Sequence, residues 1–71
     1  MKLTLKAWRA VAGMTQTELA TAIGYATKTP IVHWERGSAT PRPMVVEKIA
    51  EAIGCAPEDI IFAGESTERG I

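Results

Sequence analysis

The sequence predicts an all-α domain of five short helices. Three observations carry that reading. Apolar residues recur at spacings of three and four in successive segments, a glycine closes most of those segments, and no run alternates apolar and polar residues over any length. The 71 residues suit one domain, residues 1–63, followed by a tail, 64–71, whose GESTERGI has the composition of a frayed end.

Thr4 is placed to cap a first helix with Leu5, Trp8, Val11 and Ala12 on one face, and Gly13 supplies the left-handed stop. The second helix opens with Thr15 and, three residues on, Glu18. That is a capping box, in which hydroxyl and carboxylate satisfy each other's backbone amides. Leu19, Ala20 and Ile23 form its buried face and Gly24 ends it; at about two turns it needs neighbours to be stable. GYATKTPIVHWERG then leads into a third helix. Its cap is either Thr27, with Lys28 and Thr29 in the first turn, or Thr29, with Pro30 in the first helical position. RGSATPRP reads as a loop. A fourth helix from about Pro43 carries Val45, Val46, Ile49, Ala50 and Ile53, and Gly54 closes it. PEDIIF is expected to be a fifth, short helix with Pro57 in its first turn. Trp8 and Trp34 read as core residues.

A chain this short buries only a modest part of its surface, so its stability margin is slim. Disulfides do not widen it, because Cys55 is the single cysteine; in IGCAPE it reads as a small buried hydrophobe suited to a reducing compartment. Lys6 and Arg9 break up the apolar amino-terminal run, so no signal peptide is expected there, and nothing approaches the roughly 20 apolar residues of a membrane span. A cytoplasmic location is expected. The formal net charge is zero but unevenly spread. Through Arg42 six cations face two carboxylates, leaving +4, and from Pro43 onward two cations face six carboxylates, leaving −4. A basic half can attract a polyanion to one face.

Two short helices joined by a glycine-started turn are the geometry of a helix-turn-helix. The unit asks for apolar residues at Leu19 and Ile23, a small residue at Ala20 where the helices cross, and two apolar residues three apart, which Ile31 and Trp34 provide. The sequence here resembles the lambda-repressor/Cro-like (xenobiotic-response-element-type) helix-turn-helix family over about residues 5 to 62. The likeness starts at Leu5-Lys6-Ala7-Trp8-Arg9 and runs through Gly13-Met14-Thr15-Gln16, Glu18-Leu19-Ala20 and Ile23-Gly24. It resumes at Ile31, Trp34-Glu35-Arg36-Gly37 and Pro41, then continues through Ile49-Ala50 and Ile53-Gly54 to Ile60-Ile61-Phe62. An ungapped register would bury Pro30 and His33; one extra residue in the Tyr25–Thr27 turn brings Ile31, Trp34 and Glu35 back together.

The resemblance implies a partner, double-stranded DNA carrying a palindromic operator, and a role for each matching residue. Lys28, Thr29, Val32 and His33 fall at base-reading positions of the third helix, and their chemistry suits guanine edges, hydroxyl contacts and thymine methyls. Gln16 and Thr17 at the start of the second helix, with Arg36, Ser38 and Arg42 around the following loop, fall at DNA-backbone positions. Arg9 and Glu35 match a structural salt bridge that clamps the recognition helix. Ile60, Ile61 and Phe62 cannot all face one core from a helix of barely two turns, so they are expected at a homodimer interface.

No nucleophile–base pair, paired carboxylates or phosphate loop is present, so an enzyme is not expected. His33 has no second His or Cys at ligand spacing, and no metal, cofactor or small-molecule ligand is inferred. The leading expectation is a sequence-specific transcriptional regulator, a repressor of the kind found in phages, mobile elements and toxin–antitoxin modules. A protein-interaction module, adaptor or antitoxin partner, built on the same fold is the alternative, and the zero net charge favours it.

Overall fold

The computed structural model describes residues 1–62, and the tail expected at 64–71 lies outside them. In chain order the elements are β1 (Leu3–Thr4), α1 (Leu5–Ala12), α2 (Gln16–Ala22), α3 (Thr29–Arg36), α4 (Pro43–Ile53), a 3₁₀ turn (Pro57–Asp59) and β2 (Ile60–Ile61). Among the described residues, four α-helices surround one core, built from Leu5, Leu19, Ala20, Ile23, Ile31, Trp34, Ile49, Ala50, Ile60 and Phe62.

Local chemistry sets most of the helix ends. The Thr4 hydroxyl accepts from the Ala7 amide at 3.2 Å and starts α1. At α2 both halves of the capping box form: Glu18 N donates to Thr15 Oγ1 at 3.0 Å, and Thr15 N donates to Glu18 Oε1 at 2.8 Å. At the other end Gly24 takes φ +95°, a conformation that β-carbon sterics deny to most residues. Its amide donates to Thr21 O at 3.1 Å and the Tyr25 amide to Ala20 O at 2.8 Å, closing α2 and turning the chain toward α3.

α3 begins at neither of the two expected caps. Lys28 precedes it in a helical conformation (φ −81°, ψ −6°) with no side-chain cap, Thr29 is its first residue and Pro30 its second. The Lys28 carbonyl already accepts from Val32 N at 3.1 Å, which starts the helical ladder without a hydroxyl. Pro30 costs nothing there, since the first amides of a helix have no partner within it. Ile31 and Trp34 are the buried pair, while His33 is exposed and Pro30 half-buried. The turn from Gly24 to Lys28 thus delivers Ile31 and Trp34, and not Pro30 and His33, to the core.

Two expectations need correcting. The fifth helix is absent: PEDIIF forms a single 3₁₀ turn followed by a strand. β2 pairs in parallel with β1, Leu3 opposite Ile60 and Thr4 opposite Ile61, so the backbone of Ile60 and Ile61 finds its partners across the domain instead of along a helix. Trp8 reinforces the join, its Nε1 donating to Asp59 O at 2.9 Å. The apolar face expected for α1 is also shorter. Leu5 is buried and Trp8 and Arg9 half-buried, but Val11 is 69% exposed and Ala12 is exposed as well. The last turn of α1 projects beyond the core, and the inward position before it belongs to Arg9.

Candidate nucleic-acid interface

α3 presents two different faces. Ile31 and Trp34 point into the core with 0% and 6% exposure. Thr29, Val32, His33 and Arg36 follow at spacings of three and four on the opposite side, where Val32 is half-buried and the other three are exposed. Lys28 is exposed just before them, and Arg42 is exposed at the entry to α4.

A partly buried polar cluster fixes the orientation of those faces. Arg9 Nε donates to Glu35 Oε2 at 2.7 Å and Arg9 Nη2 to Glu35 Oε1 at 3.3 Å, which is a forked, charge-assisted pair. The third guanidinium nitrogen, Nη1, donates to the Met14 carbonyl at 2.9 Å, and Gln16 Nε2 donates to Glu35 Oε1 at 3.0 Å. One carboxylate at the end of α3 thus gathers α1 and the start of α2, while one arginine holds α1, the α1–α2 loop and α3. The Arg9 and Glu35 side chains keep only 16% and 7% of their surface exposed. Because Glu35 is the only carboxylate on α3 and is turned inward and paired, the outer face carries cationic and neutral groups alone.

The helix-turn-helix family model matches residues 5–60, most of the chain. The protein belongs to the lambda-repressor/Cro-like helix-turn-helix family. Searches of curated proteins and of solved structures returned no significant match. Membership makes the chain a DNA-binding regulator in the general sense, from a family that is typically non-enzymatic. Among the described residues, no helix is long and apolar enough to cross a membrane.

Within the helix-turn-helix, α2 and α3 are the paired helices and Gly24 to Lys28 the turn. Thr17 is exposed on the first turn of α2, and Gln16 beside it is half-buried with its amide engaged by Glu35. That bond joins residues 19 apart and has no local signature, so the sequence places Gln16 at a DNA-backbone position without revealing its tie to Glu35. Past Gly37, Ser38 folds back on α3. Its amide donates to His33 O at 3.1 Å, and its hydroxyl lies 3.1 Å from His33 Nδ1. His33 and Ser38, separate positions in the sequence reading, are therefore one hydrogen-bonded unit. Tyr25, which the sequence reading did not single out, stands edge-on to Trp34 with ring centroids 5.8 Å apart.

The carboxyl-terminal apolar trio divides. Ile60 (5% exposed) and Phe62 (3%) are built into the chain's own core, and Ile61 between them is half-buried. Cys55 is half-buried, and burial, then the nearby Asp59 carboxylate, push its thiol up from its ordinary value, so near neutrality it is a protonated thiol. Among the described residues, no three His, Cys, Asp or Glu side chains come together as a metal site.

Proposed function

We propose that this chain is a sequence-specific transcriptional regulator, a repressor of the phage, mobile-element or toxin–antitoxin kind, that enters the DNA major groove with α3. Lys28, Thr29, Val32 and His33 read base edges, and Gln16, Thr17, Arg36, Ser38 and Arg42 hold the backbone. The observation that carries this reading is the Arg9–Glu35–Gln16 cluster. It locks α3 to the scaffold and removes its only carboxylate from the outer face, leaving a rigid helix side without anionic groups. Gln16 reaches phosphate with the amide hydrogen that Glu35 does not use.

The working form is a homodimer on a palindromic operator, its two recognition helices about 34 Å apart. Ile61 is the residue of the carboxyl-terminal trio with surface left to offer a partner, in a region where Val46 and Pro57 also line the surface. Selection of preferred duplexes from a random pool, followed by a salt titration, tests the reading. The expected outcome is one preferred sequence with twofold symmetry and affinity that falls steeply as salt rises. Undetectable binding to any duplex at low salt would overturn it in favour of the second reading, a protein-interaction module, which the zero formal net charge supports.

A further inference from the structure

Between the turn and the start of α4 runs a surface groove lined chiefly by Tyr25, Trp34, Thr40, Pro41, Arg42 and Met44. Arg42 carries the only formal charge among the groove's residues, and none of them is a carboxylate. Tyr25 is held in place twice. Its amide donates to Ala20 O at 2.8 Å, and its ring packs edge-on against the buried Trp34 at an interplanar angle of 75°. It nonetheless remains 37% exposed, and Met44, which also lines the groove, is 69% exposed. An aromatic anchored on one side and exposed on the other leaves a surface for an occupant. Apolar walls with one cation and two hydroxyls match a chain of alternating deoxyribose and phosphate. A protein segment would have to place a carboxylate of its own against Arg42, whereas a DNA strand carries an anion at every nucleotide.

We infer that Tyr25 and Arg42 seat one strand of the DNA backbone in this groove, an inference that presupposes α3 in the major groove. Tyr25 lies four residues before Thr29, the first residue of α3, so the groove flanks the end of the helix that meets the bases. The Tyr25 hydroxyl donates to a phosphate oxygen, Arg42 neutralises the same stretch of backbone, and the exposed Met44 packs on the sugar. The turn between α2 and α3 thereby adds a backbone-holding residue, Tyr25, to the interface. Such a contact sets affinity and register and carries no base preference.

The test compares wild type, Tyr25→Phe and Arg42→Gln on the duplex that wild type selects from a random pool. Phe retains the ring against Trp34, and melting temperatures verify that all three proteins are folded. Tyr25→Phe should weaken binding about three- to tenfold with the preferred sequence unchanged. Arg42→Gln should flatten the salt dependence by roughly one ion. In ethylation interference, a phosphate whose modification blocks wild type should cease to matter for both variants. If Tyr25→Phe binds as tightly as wild type with the same interference pattern, the inference fails while the DNA reading stands. If Tyr25→Phe instead weakens self-association measured without DNA, a second copy occupies the groove and the inference also fails. Failure of the DNA reading looks different, because wild type itself would then show no salt-dependent duplex binding.

Discussion

Arg9 and Glu35 meet across 2.7 Å in a site where neither side chain keeps more than 16% of its surface exposed. An ion pair that far from water draws much of its importance from what its loss leaves behind, an unpaired charge in a poor solvent. Arg9→Ala and Glu35→Ala should each destabilise the domain by about 3–5 kcal/mol, whereas the double replacement Arg9→Met with Glu35→Leu should restore most of that. Urea denaturation followed by circular dichroism measures all three. Single variants as stable as wild type would mean that the cluster does not hold α3.

Lys28 and Arg36 both lie on the DNA-facing side of the proposed complex but in different roles. Lys28→Ala should relax base preference at one operator position, costing about 1–3 kcal/mol against the preferred base. Arg36→Ala should weaken binding to all duplexes alike and reduce the salt slope by about one. Parallel selections from a random pool separate the two outcomes; identical behaviour would dissolve the distinction between reading and holding.

Ile60 and Ile61 are neighbours with different surroundings, one in the core and one only partly buried. Ile61→Lys should leave the melting temperature nearly unchanged and shift sedimentation toward monomer. Ile60→Lys should unfold the domain, because it places an unpaired ammonium in the core. A wild type that sediments only as monomer at high concentration, with and without DNA, rules out the homodimer.

Gly24 holds φ +95° with open space where a β-carbon would stand. Substitution there meets backbone strain and no clash. Gly24→Ala should therefore cost about 1–2 kcal/mol, and Gly24→Asn less, since asparagine tolerates left-handed geometry. A thermal melt of the two variants checks the order, and equal losses would point to something other than backbone conformation.

Much of this architecture is legible in the sequence because the signals are local. Thr15 with Glu18 marks the start of α2 within four residues, Gly24 marks the turn, and Ile31 with Trp34 shows by spacing which side of α3 faces inward. Fixing the inward side also fixes which residues remain for the outer one. The start of α3 was less legible, because the Lys28 carbonyl opens the helix without any side-chain cap.

What only the tertiary structure decided depends on partners distant in the chain. PEDIIF carries a helical apolar pattern, yet Ile60 and Ile61 pair as a strand because Leu3 and Thr4 lie alongside to satisfy their backbone. The same holds for Gln16, whose amide goes to Glu35 across 19 residues, and for Tyr25, whose ring rests on Trp34. Val11 fits the α1 face by period but lies beyond the reach of the core. Periodicity and capping chemistry act within a turn or two and are written into neighbouring residues. Which distant group arrives to share a hydrogen bond or a core position is settled only when the whole chain packs.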